Sequence, residues 1–180
     1  MTKTRLKLEE AEYFLNQMHS NKDTDKIFIF VLNAFLSAAR SVTFIMQSEF
    51  SDRKNFRSWY ITKQDSMFHD KNFCFFNKLR RMTVHHESII PNKNVVVYIL
   101  EPLRITSDTP PYASVSTTNN AVCIALPESQ GKLQPLPEVQ ASSSYSWCFK
   151  ERPNEDVLTL CNDYILNLKE LVNDCENNFI

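Results

Sequence analysis

The segment at residues 157–175, VLTLCNDYILNLKELVNDC, decides the fold of this chain. Its apolar residues alternate spacings of four and three, which places them on one face of an α-helix. The preceding residues Asn154, Glu155 and Asp156 are polar and acidic, as is typical of a helix N-terminus. The sequence therefore predicts a helix at 155–177 with a broad buried stripe. The stripe consists of Val157, Cys161, Tyr164, Leu168, Leu171 and Cys175, widened by Leu158, Ile165 and Val172.

The N-terminal half supplies helices that can cover this stripe. Apolar residues from about 24 to 50 keep the helical period and predict a long central helix. A further helix is predicted at 65–86, ending before Pro91, because proline disfavours helical geometry in the residue before it. Residues 51–64 are predicted to be a connection whose aromatic side chains lie back on the helices. A first helix is predicted from Leu8, Ala11, Leu15 and Met18, and polar residues 20–23 end it.

The character of the sequence changes after Pro91. Short apolar and β-branched runs predict strands, and Asn119 and Asn120 suit a tight turn between two of them. Residues 130–144 are predicted to be a loop. The fold class is therefore α+β, mainly α: a four-helix bundle from residues 6–90 and 155–177, with a β-rich antiparallel insertion at 94–150 between helices three and four, in one domain over 1–180. The predicted strands lie at 95–100, 112–118, 121–126 and 145–149.

The composition fits a folded domain and excludes a disordered chain. Of the 180 residues, 43% are hydrophobic and 12% aromatic, which is enough for a sizeable core. The net charge is −1, but residues 1–90 hold 14 Lys and Arg against 10 Asp and Glu, whereas residues 91–180 hold 6 against 11. The N-terminal half, which also holds all four histidines, is thus mildly basic. This excess fits a phosphate-binding surface and solvated side chains about equally well.

Targeting and cysteine signals point to the cytoplasm. The polar N-terminus lacks the apolar core of a signal peptide, and we expect no stretch long enough to cross a membrane. Five cysteines without a CxxC pair argue against a disulfide framework and a zinc site, so we expect reduced and mostly buried thiols. Neither a metal nor a cofactor is expected.

The run FFNKLRRMTVHHE at residues 75–87 is the best candidate for chemistry. Arg80 and Arg81 carry fixed positive charge, and His85 and His86 titrate near neutral pH. Positions four apart on a helix share a face, whereas positions five apart do not. Arg81 and His85 therefore share a face, and Arg80 reaches His85 only by wrapping round the helix or across a subunit interface.

This run resembles the signature of the HEPN domains, in which an Arg is followed by a polar residue, three variable residues and a His. Arg80 to His85 has that spacing, and residues 34–43 together with Trp59 and Tyr60 also look like HEPN-related bacterial proteins. The resemblance covers roughly residues 6–90 and the last helix. It implies a homodimer whose motifs face each other and, in active members, metal-independent RNA cleavage of a toxin or defence type.

Carried over by this resemblance, Arg80 and His85 would be catalytic, with Arg80 on phosphate and His85 in proton transfer. Arg81 and His86 would bind substrate. Arg81 occupies the position that is usually Asn or Asp, and it cannot accept a hydrogen bond. A second register, from Arg81 to His86, places Met82 at that polar position.

Two functions are compatible with the sequence. The first is an RNA- or nucleotide-binding protein that acts through Arg80 and His85, either by binding alone or as a metal-independent endoribonuclease. The second is a non-catalytic helical dimerisation module whose β insertion binds a partner protein. A purely structural role for the motif, with solvated arginines and a histidine at the helix end, is nearly as well supported. Arg40, amid apolar residues of the central helix, is expected to be structural and to need a carboxylate or helix carbonyls as partner.

Overall fold

Helices make up most of the described part of the chain, and a small antiparallel sheet accompanies them. The computed structural model describes the backbone of residues 1–85, 88–99, 114–118, 121–125 and 141–180, and the side chains of 1–83, 88–95 and 144–180. The α+β, mainly α class is confirmed. In chain order the elements are α1 (Lys3–Ser20), α2 (Asp25–Phe50), α3 (Phe56–His69), α4 (Lys71–His85), β1 (Asn92–Ile99), β2 (Ser114–Thr118), β3 (Ala121–Ala125), β4 (Ala141–Phe149), β5 (Arg152–Asp156) and α5 (Val157–Phe179).

Helix α5 confirms the stripe predicted from residues 157–175. All six residues of the main stripe are buried, and α5 packs against α1, α2 and α4. Full burial of one large apolar side chain contributes about 1.5–3 kcal/mol, so the stripe is a major source of stability. The predicted cap is also present, because the Asp156 side chain accepts a hydrogen bond from the backbone N–H of Thr159 at 3.1 Å.

Helix α2 is the long central helix, and ten of its 26 residues are buried. It is also long and apolar enough to cross a membrane by length and composition, which corrects the expectation that no stretch is. A core helix of a soluble protein meets the same criterion, and α2 packs against α1, α4 and α5. The cytoplasmic location stays a prediction.

Helix α3 was not predicted. The connection predicted at 51–64 is helical from Phe56 onward, and the chain turns into it at Asn55, which has the left-handed φ of 66° that asparagine tolerates. Only Phe56 and Tyr60 of α3 are buried. Helical periodicity in the sequence is therefore weak here, and the aromatic residues were mistaken for part of a loop.

The helix predicted at 65–86 is divided at Asp70. The Asp70 backbone is extended, and its carboxylate accepts hydrogen bonds from the backbone N–H groups of Asn72 and Phe73, at 2.8 Å each. A carboxylate in this position satisfies donors that have no partner inside the helix, so it begins α4. Residues 65–69 belong to α3 instead. The described part thus contains one more helix than the predicted four-helix bundle.

The strands lie close to their predicted positions. Strands β2 and β3 pair antiparallel, with Thr118 opposite Ala121, which confirms the predicted hairpin, although its turn residues lie outside the described part. The other sheet has the order β1-β4-β5. Strand β4 begins at Ala141, inside the predicted loop 130–144, whose first eleven residues are outside the described part. Strand β5 was missed because its sequence, RPNED, is polar and contains a proline.

Two compact units are distinguished within the chain. One consists of Met1–Lys93 and Ser146–Ile180, and it contains the helices and the apolar core. The other is Asn94–Tyr145, and it contains the β2–β3 hairpin. The single domain over residues 1–180 stays a prediction.

A tryptophan of β4 belongs to the core of the helical unit. The Trp147 ring stacks on Phe28 of α2, with centroids 4.4 Å apart and planes within 6°. Its indole Nε1 donates a hydrogen bond to the backbone oxygen of Lys22 at 2.8 Å. Through Trp147, strand β4 thus makes both an apolar and a polar contact at the start of α2.

The N-terminus of α1 is capped from a distance by Glu49 near the end of α2. The Glu49 carboxylate accepts hydrogen bonds from the backbone N–H groups of Lys3 and Thr4 at 2.8 and 2.7 Å, and from Thr4 Oγ1 at 2.7 Å. Burial acts to raise the pKa of Glu49, but these hydrogen bonds outweigh it, so the pKa lies below the ordinary 4.5.

The same end of α1 is joined to α5 through Glu176. Its carboxylate accepts a hydrogen bond from Thr2 Oγ1 at 2.6 Å and forms an ion pair with Arg5. Burial acts to raise the Glu176 pKa, and the hydrogen bonds from Arg5 and Thr2 lower it by more. Two carboxylates on two different helices therefore hold the start of α1.

We predict that Glu49→Gln lowers the free energy of unfolding by about 1 kcal/mol near neutral pH, since a partly exposed cap is screened by solvent. The stability that Glu49 contributes is present above pH 4.5 and is lost as the pH falls through its lowered folded-state pKa. The difference between variant and wild type should therefore shrink in acid. Urea unfolding at neutral and acidic pH measures this difference in the free energy of unfolding. Glu176 titrates in both proteins, so its contribution to the pH dependence cancels in the difference. A difference independent of pH would contradict the capping role.

Candidate functional site

The four residues predicted to form a site lie at the end of α4. Arg80 is half-buried and Arg81 is exposed. His85 is the last residue of α4 and its side chain lies outside the described part, as does all of His86. An acid–base arrangement of Arg80 with His85 is therefore not seen, and both catalytic and substrate-binding roles stay predictions.

The described contacts of Arg80 lead to Phe44 of α2, which Arg40 also contacts. Both guanidinium groups lie over the ring of Phe44, with the central carbon 5.6 Å from the ring centroid for Arg80 and 4.2 Å for Arg40. Such contacts contribute about 0.5–1 kcal/mol at exposed sites. Phe44 is 46% exposed, so this cationic and aromatic surface is open to solvent.

Arg40 has an unusual set of partners. Its Nη1 donates a hydrogen bond to Thr43 Oγ1, and its Nε is buried without a hydrogen-bond partner. No ion pair joins it to a carboxylate in the described part of the chain. The expected partner, a carboxylate or helix carbonyls, is replaced by one hydroxyl and one aromatic ring. Within residues 1–83, 88–95 and 144–180, no negative charge therefore compensates that of Arg40, which is costly for a half-buried group.

Two tyrosines border Arg40 without balancing its charge. Burial raises the pKa of Tyr164 to about 12, and Arg40 opposes this by a smaller amount. Burial also raises the pKa of Tyr60, against smaller effects of Thr43 and Arg40. Both phenols are neutral at physiological pH.

The outer surface of α2 is a second notable feature. Phe30, Ala34, Ser37, Ser41 and Phe44, called here the α2 face, alternate spacings of four and three and lie along one side of the helix. Phe30 is 62% exposed and Phe44 46%, while the residues between them are small. The apolar period that predicts the long central helix does not single out these two phenylalanines. Phe30, Ser37 and Phe44 are spaced seven residues apart, which is about two helical turns. This spacing could have predicted a stripe on one side of the helix.

Three of the four described cysteines are buried. Cys148, Cys161 and Cys175 are buried and Cys74 is exposed, all without disulfides, as expected. Burial raises the pKa of Cys161 well above its ordinary value and that of Cys175 to about 12, so both are protonated. Among the described residues, no three His, Cys, Asp or Glu side chains lie close enough to hold a metal ion.

Comparison with known protein families decides the relationship. The model of the family described as bacteriophage lambda protein ea47 matches residues 1–119, about two thirds of the chain. The chain belongs to the ea47 family. The match includes all of α1 to α4 and continues through β2. No curated protein and no solved structure matches the chain.

Membership in the ea47 family corrects the resemblance to HEPN domains. The residues that carried the resemblance, 34–43 and 80–85, both lie inside the ea47 match. The HEPN assignment is therefore wrong. The ribonuclease and toxin or defence activities that were inferred from it lose their basis.

We predict that Arg80→Ala lowers the free energy of unfolding by about 0.5–1 kcal/mol, since it removes a cation–aromatic contact with Phe44. The neighbouring Arg81→Ala is the matched control; its side chain is exposed, and we expect a change within about 0.5 kcal/mol. Urea unfolding at constant pH measures both. Equal effects of the two substitutions would contradict a specific contact between Arg80 and Phe44.

Proposed function

We propose that this ea47-family protein is a non-catalytic helical interaction module that pairs with a second copy of itself through the α2 face. The observation that supports this proposal is the exposure of Phe30 and Phe44 on the most apolar helix of the chain. Aromatic residues of this size on a surface with small neighbours are typical of protein interfaces.

The spacing of the α2 face suits a two-fold arrangement. Phe30 and Phe44 are each seven residues from Ser37, so an antiparallel pair of α2 helices centred on Ser37 places Phe30 beside Phe44 of the partner subunit. The small side chains of Ala34, Ser37 and Ser41 allow the two helices to approach closely between these aromatic contacts. Alternating spacings of three and four are those of helices packed side by side.

Positively charged side chains lie at both ends of the α2 face. The residues at 30, 34, 37, 41 and 44 are uncharged, and three cations lie at the ends of the face. The Lys26 ammonium lies 5.8 Å from the Phe30 ring centre, and the guanidinium groups of Arg40 and Arg80 lie over the Phe44 ring. In an antiparallel pair, the two Lys26 positions are separated by roughly 30 Å along the helix axes. Repulsion between them is then screened by salt.

The β insertion is a second possible interaction surface. We keep the proposal that residues 94–150 bind a partner protein. The ea47 match covers only the first part of this segment, up to residue 119. Self-association through α2 does not depend on it.

We predict that Ser37→Glu converts a dimer into a monomer, because it places two carboxylates next to each other at the two-fold axis of the paired helices. Ser37 is exposed, so folding should be retained. Sedimentation velocity at about 10–100 µM protein covers the affinity range of a modest interface. Ser58→Glu, at an exposed serine of α3, is the matched control and should remain dimeric. A monomeric wild type, or a dimeric Ser37→Glu variant, would refute the α2 interface.

We predict, as an independent check, that Ser37→Cys forms a covalent dimer under mild oxidation, because residues at a two-fold axis meet their own copies. The substitution is made together with Cys74→Ser, since Cys74 is exposed. Non-reducing electrophoresis detects the product. Ser58→Cys in the same background is the control and should give little covalent dimer. Equal yields from both variants would show that the disulfides form by random collision of chains, which would contradict the α2 interface.

A further inference from the structure

We propose that a cavity at Arg40, between α2, α3, α4 and α5, binds a small organic carboxylate with a flat apolar body. The cavity has a volume of about 260 Å³. This inference goes beyond self-association and does not rest on it. The lining residues are Arg40, Tyr60, Gln64, Met67, Phe68, Phe73, Cys74, Asn77 and Tyr164.

The cavity has a buried floor and an exposed rim. Tyr60 and Tyr164 are 5% and 3% exposed and form the floor, beside the half-buried Arg40. Gln64 and Asn77 are exposed and stand at the rim. A ligand entering from solvent therefore passes two carboxamides before it reaches the guanidinium.

The charge of the lining favours an anion. Arg40 is the one charged side chain among the lining residues, and the two tyrosines are neutral phenols. Its Nε donor is buried and unpartnered in the described structure. A carboxylate would supply both the missing counter-charge and an acceptor, once the side chain turns toward it.

The same lining favours a carboxylate over a phosphate ester. A phosphate monoester carries a charge of about −1.5 to −2 at neutral pH, whereas a carboxylate carries one. A single guanidinium balances one charge, and its planar fork matches the two oxygens of a carboxylate. The nearby Arg80 lies on the Phe44 side and is not part of the lining.

Aromatic and thioether side chains provide room for an apolar body. The Phe73 ring meets Tyr164 edge-on, with centroids 5.2 Å apart and planes at 77°. Phe68 is 74% exposed, although it lines the cavity together with Met67. A flat ring in the ligand would contact Phe73 and cover part of Phe68.

The probe that we choose is phenylacetate, with phenylacetamide as its neutral isostere and phenyl phosphate as the dianionic alternative. Isothermal titration of the full chain should give a Kd for phenylacetate of roughly 10 µM to 1 mM, as expected for a ligand of about ten heavy atoms. Phenylacetamide should bind at least about tenfold more weakly. Three results would overturn the proposal: equal binding of phenylacetamide, tighter binding of phenyl phosphate, or no saturable binding of phenylacetate.

Two variants assign the binding to this cavity. Arg40→Gln removes the charge and should weaken phenylacetate binding at least tenfold, or about 1.4 kcal/mol. Asn77→Asp adds a carboxylate at the exposed rim without disturbing the core, and it should weaken binding by a similar factor through repulsion. Asn16→Asp, at an exposed position of α1, is the matched control and should bind like wild type. Unchanged binding by folded Arg40→Gln, or by Asn77→Asp, would overturn the site.

The outcomes for this site and for the α2 interface are separable. Phe30→Ala removes an aromatic contact of the α2 interface ten residues before Arg40 and leaves every lining residue of the cavity intact, so a monomeric variant should still bind phenylacetate. Loss of phenylacetate binding in a folded Phe30→Ala monomer would overturn the assignment of a site complete within one chain.

Discussion

The packing of α5 against α1, α2 and α4 is the constraint on which the rest of this structure depends. Helix α5 supplies nine buried residues between Val157 and Cys175, close to the ten of the longer α2 and more than α1 or α3 supplies. α1 and α5 are also held together at one end by Thr2, Arg5 and Glu176. Because α5 closes the core, the elements before it in sequence take their positions from a segment that follows them.

Much of this architecture could be predicted from local patterns. The stripe of α5, the apolar period of α2 and the β2–β3 hairpin were correctly predicted, because each is specified by neighbours a few residues apart. Helix α3 was missed because it buries only Phe56 and Tyr60, which leaves little periodicity. The break at Asp70 depends on a side-chain cap, which a pattern of apolar residues does not reveal.

The candidate site was harder to predict, because it depends on contacts between helices. Arg40 and Arg80 are forty residues apart, and only the fold places both over Phe44. The spacing of Arg80 and His85 suggested chemistry within one helix, whereas the described contacts of Arg80 lead to α2. A short motif of common residues occurs often by chance, and the ea47 match over residues 1–119 shows that it was misread as HEPN.

The position of α5 also has a consequence for biosynthesis. Helix α1 can pack on α2, which follows it directly, but α5, which completes the core, follows about 140 residues after α1, on the order of ten seconds at ordinary elongation rates. The surfaces of α1 and α2 that pack against α5 are without that cover during this interval. The nascent chain is therefore a natural client for ribosome-associated chaperones, and its core is completed only after α5 has left the exit tunnel.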